Sequence, residues 1–155
     1  MRKLMLLFAV FGLAGSLWAA DPIIGTWKLN VAKSTFSPNV PAVKENTDVY
    51  REIEGGQIEL TYTATEKDGS ATLLKLTWPV QGGMAKVLQG DPAGTTWVET
   101  LIAPGEWYAT YLRDGKQFQT RYKAISKDGK TMRQTLRGFD AQGKPFELLL
   151  VSDRQ

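Results

Sequence analysis

The feature that most constrains this chain is an alternation of apolar and polar residues with a period of two. In its clearest stretch, Ile58, Leu60, Tyr62 and Ala64 alternate with glutamate and threonine. Because successive side chains of a strand point to opposite faces, this spacing predicts a β-strand with one buried face. Turn residues that supply positive φ follow such stretches at intervals of roughly eight to twelve residues. These turns are Gly55-Gly56, Asp68-Gly69, Gly82-Gly83, Asp114-Gly115 and Asp128-Gly129.

The alternation predicts ten strands and no helix of useful length. The strands lie near residues 24–30, 46–54, 57–66, 71–78, 84–89, 95–102, 107–113, 116–125, 131–139 and 146–152. The segment Val31–Pro41 is predicted to be a loop with at most one helical turn. Strands joined by hairpins form a meander whose edges stay unpaired unless the sheet closes. We expect an all-β fold, a single antiparallel up-and-down β-barrel of about 8–10 strands; a two-sheet sandwich is the alternative.

The first twenty residues have the organisation of a secretory signal peptide. The basic pair Arg2-Lys3 precedes the apolar run Leu4–Leu17, and small residues end the segment at Ala20. We therefore expect a signal peptide over 1–20 and one β-barrel domain over 21–155, in a protein that is secreted or periplasmic. A retained anchor is the alternative, but the run is shorter than the ~20 residues of a membrane span. No membrane span is expected once the leader is removed.

The charge of the mature chain is close to neutral. Two of the nineteen basic residues lie in the leader and all sixteen acidic ones lie beyond it, which leaves seventeen against sixteen and a net charge of +1. Nucleic acid is therefore not an expected partner. With no cysteine, the domain has no disulfides, so core packing alone must stabilise what we expect to be a monomer.

The residue types that are missing narrow the chemistry. The chain has no histidine and no cysteine, which excludes serine–histidine catalysis, thiol nucleophiles and thiolate or imidazole metal ligands. We expect no cofactor, no metal and no catalytic residue. Carboxylate catalysis stays open as an alternative, as does calcium bound by turn aspartates. The acids concerned are Glu52, Glu54, Glu59, Glu99, Glu106 and Glu147 on strands, and Asp91, Asp128 and Asp140 in turns.

The two ends of the mature chain resemble a known superfamily. Gly25-Thr26-Trp27-Lys28-Leu29 is similar to the Gly-x-Trp start of lipocalins and fatty-acid-binding proteins, and Val151–Gln155 is similar to the last strand of the latter. Gly25–Pro38 and Ser126–Gln155 also resemble secreted bacterial lipocalin-like proteins, a group without a settled activity. The resemblance implies a calycin-type β-barrel.

The same resemblance implies structural roles at the closed end of the barrel. Trp27 would be the barrel plug, Gly25 would let the backbone approach it, and Arg154 would stack on its ring. Fatty-acid-binding proteins also hold their ligand with an arginine and a tyrosine on the last strand. Here those places are Leu150 and Ser152, so this clamp is missing.

Aromatic residues on the middle strands are the candidates for lining a cavity. Apolar walls with a few polar groups are typical of ligand sites, although a solid core would use the same residues. The candidates are Tyr62, Trp78, Trp97, Trp107, Tyr111, Phe118 and Tyr122.

One face of the late strands carries arginine. Arg133 and Arg137 share a face of one predicted strand, and Gln119 and Arg121 share a face of the strand before it. If these faces form the outer wall, the arginines are solvated. If they point inward, the ligand would be anionic or strongly polar, because a buried guanidinium needs a partner.

These features predict a secreted or periplasmic, non-enzymatic protein that binds a small hydrophobic or amphipathic ligand inside a β-barrel. A protein-interaction or inhibitor module of the cell envelope, with a filled barrel, is one alternative. An enzyme that uses carboxylates is another. An outer-membrane barrel would need a taller apolar band than the short predicted strands provide.

Overall fold

The computed structural model describes residues 20–40, 43–90 and 94–155. The predicted signal peptide therefore lies outside the described residues, apart from Ala20, as do Pro41 and Asp91. Within these ranges the chain forms eleven strands and one 3-10 turn over Val31–Lys33. The strands are β1 (Gly25–Leu29), β2 (Val43–Ile53), β3 (Gln57–Glu66), β4 (Ala71–Pro79), β5 (Gly82–Met84), β6 (Lys86–Gln89), β7 (Thr95–Ala103), β8 (Glu106–Arg113), β9 (Lys116–Ile125), β10 (Thr131–Phe139) and β11 (Pro145–Arg154).

All strands belong to one antiparallel sheet that curls into a nearly closed barrel. Their order is β5-β7-β8-β9-β10-β11-β1-β2-β3-β4-β6, so β1 joins the chain's last strand to β2. The two strands at the ends of this order, β5 and β6, are separated only by Ala85. We call residues 82–89 the crossing segment, because its first half pairs with β7 and its second half pairs with β4.

The crossing segment needs glycine to fit between its neighbours. Gly82 has a φ of 90°, and a Cβ there would lie 2.7 Å from the carbonyl oxygen of Glu99. The segment was predicted to begin after a Gly82-Gly83 turn, but both glycines lie in β5. The strand count therefore rises from ten to eleven, because one predicted strand starts earlier and divides at Ala85.

The closed end of the barrel is organised around Trp27. Its side chain is fully buried, and its Nε1 donates a hydrogen bond to the carbonyl oxygen of Ile23 at 2.7 Å. The guanidinium of Arg154 lies 4.2 Å from the centre of the Trp27 ring. Arg154 also donates hydrogen bonds to the carbonyl oxygens of Pro22, Ile24 and Gly129. One side chain thus ties two separate segments, the residues before β1 and the turn at Gly129, to the tryptophan.

Glycine at position 25 is required by this arrangement. Gly25 has a φ of 144°, and a Cβ there would collide with Nη1 of Arg154. The backbone therefore approaches the guanidinium closely only because no side chain intervenes.

The predicted fold class is confirmed. A single, nearly closed antiparallel sheet replaces the two-sheet alternative, and the loop after β1 contains one short turn, as expected from its serines and prolines. In the part of the chain that the structure describes, no helix has the length and apolar character to cross a membrane.

We predict that Arg154→Met lowers the free energy of unfolding by about 2–4 kcal/mol, because three charge-assisted hydrogen bonds and a cation–π contact are lost. Arg133→Met, on the exposed face of β10, is the matched control and should change stability by less than about 0.5 kcal/mol. Urea denaturation followed by tryptophan fluorescence measures both. Equal effects of the two substitutions would contradict a structural role for Arg154.

Candidate functional site

The half of the barrel nearest Trp27 is filled with side chains. Trp78 and Trp107 are fully buried, and their rings pack edge to face with centroids 6.1 Å apart. Tyr50 packs on Trp78 in the same way. Aliphatic residues from the surrounding strands complete this core. We call it the aromatic floor, because it closes the lumen below the cavity.

The other half of the barrel contains a cavity of about 630 Å³. Its wall combines apolar side chains from β10, β11 and the loop after β1 with polar side chains from β2, β9 and β10. The lining residues are Phe36, Val40, Val43, Asn46, Asp48, Tyr62, Glu66, Lys67, Asp68, Arg121, Gln134, Leu136, Leu148 and Leu150. A space of this size suits a small organic ligand.

Where the cavity meets the floor, Asp48 forms a hydrogen-bonded group with two amides. The carboxylate is 2% exposed and accepts a hydrogen bond from Nδ2 of Asn46 at 3.1 Å and one from Nε2 of Gln134 at 3.3 Å. The second bond crosses the lumen from β10 to β2. Burial raises the pKa of the Asp48 carboxyl, and the two amide donors and Arg121 offset this only in part.

Arg121 projects into the lumen from the neighbouring strand, β9. Arg121 pairs in register with Leu136 of β10, whose side chain is buried. The guanidinium of Arg121 lies 5.5 Å from the ring centre of Tyr111. Among the described residues, its buried Nε has no hydrogen-bond partner. Burial disfavours its charge, but the nearby tyrosines and carboxylates outweigh this and raise its pKa. The guanidinium is therefore charged.

The arginine face of the late strands is divided. Arg121 points inward on β9, whereas Arg133 and Arg137 lie on the exposed outer face of β10. Arg137 pairs there with Glu147 at 2.9 Å. Of the two alternatives considered from the sequence, the outer wall therefore holds for the arginines of β10 and the lumen holds for Arg121 of β9.

Deeper in the lumen, Lys123 and Glu99 form a buried ion pair. The Nζ of Lys123 donates to Oε2 of Glu99 at 2.8 Å, and both side chains are at most 2% exposed. Ala109 lies in register between Glu99 and Arg121, and its small side chain leaves room for the long side chains of these two residues. Burial lowers the pKa of Lys123 despite its partner.

Of the seven aromatic residues predicted to line a cavity, Tyr62 is the one that the cavity wall includes. Trp78 and Trp107 belong to the floor, and Trp97 packs on Tyr111 with ring centroids 4.7 Å apart. Phe118 packs on Tyr111 in turn and lies under the guanidinium of Arg113. Tyr122 lies on the outer face, 38% exposed, and donates to Glu106. That any of them contacts a ligand stays a prediction.

The polar residues of the cavity were not among the predicted site residues. Asn46 and Asp48 alternate with the buried Tyr50, so period-two spacing already placed them on the inner face of β2. Val49 on the opposite face obscured this signal, because it made the outer side look equally apolar. Gln134 was missed as well, although it alternates with Met132 and Leu136 on the buried face of β10.

The glutamates considered for carboxylate catalysis are not gathered in the cavity. Glu99 pairs with Lys123, Glu147 with Arg137, Glu59 with Lys75 at 3.8 Å, and Glu106 accepts from Tyr122. Glu52 and Glu54 are exposed at the end of β2. Across the described ranges, no group of three or more acidic side chains is placed to hold a metal ion.

We predict that Glu99→Leu and Lys123→Met each lower the free energy of unfolding by about 3–5 kcal/mol, because each leaves one buried charge unpaired. The double variant should lose less than either single variant, since it removes both charges. Denaturant titration of the four proteins gives the coupling energy. Additive losses would show that the pair is not a coupled buried unit.

We also predict that Asp48→Asn changes the pH dependence of stability. A raised carboxyl pKa in the folded state means that its stabilising contribution is complete below the unfolded value, near 3.8, and is lost as pH rises through the folded pKa. The free energy of unfolding of the variant, relative to the unsubstituted protein, should therefore increase from acid to neutral pH. A pH-independent difference between the two would contradict the raised pKa.

Comparison with known proteins gives the fold. No protein-family model and no curated protein matches the chain. Among solved structures, wild-type fluorescent protein UnaG is similar at 15% identity, with a TM-score of 0.57 over 86% of this chain and 97% of that one. Zebrafish ileal bile acid-binding protein complexed with cholic acid is similar at 12% identity, with a TM-score of 0.53 over 86% and 99%. The chain therefore has a calycin-type antiparallel β-barrel fold.

Proposed function

We propose that this protein is a non-enzymatic binding protein that holds a small, partly apolar molecule in the cavity above its aromatic floor. The observation that carries the proposal is the cavity itself, about 630 Å³ in volume, with an apolar wall and a polar base. The apolar body of the ligand would lie against Leu136, Leu148, Leu150 and Phe36. Its polar end would face Arg121 and the group around Asp48.

The fold supports the same proposal. One similar barrel, the zebrafish bile acid-binding protein, was solved with cholic acid, a small molecule with an apolar skeleton and polar groups. The glutamates named above do not favour catalysis, because four of them form ion pairs or hydrogen bonds with other side chains, and Glu52 and Glu54 are exposed and do not line the cavity. A filled barrel, which a protein-interaction module would favour, does not match the cavity.

We propose that the protein carries out this function after export, as a secreted or periplasmic protein. This proposal rests on the basic, apolar and small-residue order of the first twenty residues. We propose that the mature protein acts there as a monomer.

We predict that Leu150→Trp reduces binding by at least about tenfold, because the larger side chain occupies the volume that an apolar ligand would use. Titration of a panel of lipids and hydrophobic metabolites, followed by tryptophan fluorescence and calorimetry, first identifies a binding probe. Leu73→Trp is the matched control, since Leu73 is 41% exposed on the outside of β4. Absence of binding to the unsubstituted protein across the panel, or an equal loss in both variants, would contradict the proposal.

A further inference from the structure

The base of the cavity presents a hydrogen-bond acceptor beside a donor. Asp48 accepts from Nε2 of Gln134, and this fixes the orientation of the Gln134 amide so that Oε1 is left as the acceptor. Among the described residues Oε1 is buried without a partner, as is Nε of Arg121. Leu136 of β10, two residues from Gln134, pairs in register with Arg121 of β9, so the two polar groups are close neighbours on the inner wall. A ligand that satisfies both must accept from Arg121 and donate to Gln134.

The charges around this base are already balanced. Lys123 and Glu99 neutralise each other at 2.8 Å, which leaves Arg121 and Asp48 as the two charges at the base of the cavity. The other charged lining residues, Glu66, Lys67 and Asp68, lie away from the base, at the end of β3 and in the exposed turn after it. Both oxygens of Asp48 accept hydrogen bonds from amides, the pattern of an ionised carboxylate. An anionic ligand would therefore add an uncompensated negative charge to a buried site, and its oxygens would face an acceptor that they cannot satisfy.

We infer that the buried end of the ligand is an uncharged group with an N–H beside a carbonyl, as in an amide or lactam, rather than a carboxylate. This inference rests on the proposed function and names the ligand class for the same cavity. It assigns two roles. Arg121 donates to the ligand carbonyl, and Gln134 accepts from the ligand N–H.

Asp48 is the positioning and selecting residue in this arrangement. It holds the Gln134 amide in the orientation that exposes Oε1, and it supplies the negative charge that makes a second anion unfavourable. Replacing Asp48 by asparagine removes the charge at nearly constant shape. The remaining cation, Arg121, would then be free to bind an anion, so a single substitution should change the class of ligand that binds.

The test compares three probes that share an apolar chain and differ in the head group: decanamide, decanoate and decanesulfonate. Calorimetry at neutral pH should give an affinity of the unsubstituted protein for decanamide that is roughly tenfold or more above that for either anion. In Asp48→Asn the preference should fall or reverse toward the two anions. Arg133→Gln, which changes an outward arginine on β10, should keep the original preference.

The outcomes separate this inference from the proposed function. Decanoate bound as tightly as decanamide by the unsubstituted protein overturns the head-group assignment and leaves the binding function standing. An unchanged preference in Asp48→Asn, with its fold verified by circular dichroism, overturns the role of Asp48. Absence of binding to all three probes, and to the wider panel, overturns the proposed function together with the inference.

Discussion

The near-complete closure of the sheet is the constraint on which the rest of this structure depends. A meander leaves two rows of unpaired N–H and C=O groups, which attract other chains and weaken the sheet. Here β1 pairs with β11, and the crossing segment (82–89) pairs first with β7 and then with β4. The sheet therefore surrounds a lumen, and alternation along each strand assigns one set of side chains to it. A cavity that could hold a ligand exists because the curled sheet encloses this lumen.

The lumen is divided by the chemistry of the side chains that enter it. Tryptophans fill the half near Trp27, where Arg154 fixes the closed end, and smaller aliphatic residues leave space in the other half. Between them lie the buried charges, which would be costly without compensation. Lys123 and Glu99 form an ion pair, and Arg121 and Asp48 are of opposite sign and influence each other electrostatically. Under the proposed function, the balance of these buried charges also limits the net charge that a ligand can add to the site. If the protein binds a ligand as proposed, the same residues would serve both the stability of the fold and the choice of ligand.

The sequence predicted the fold well and the site poorly, for a physical reason. Period-two spacing and turn glycines report directly on local backbone geometry, so the strand positions and the barrel followed from them. Which side of a strand becomes the lumen depends on closure, a long-range property. Arg121 and Arg133 are alike in sequence yet face opposite sides. The hydrogen bond between Asp48 and Gln134 spans 86 residues, a juxtaposition that no local pattern encodes.

The pairing of the first strand with the last has a consequence for how the molecule is made. A ribosome delivers β1 long before β11, and 120 or so residues separate the partners, so the closing contacts form late and have a high contact order. Until then Trp27 lacks the guanidinium that covers it. Until β11 is added, the edge of β1 that pairs with it stays unpaired. A truncation inside β11 would therefore leave an open, aggregation-prone sheet and not a slightly smaller barrel.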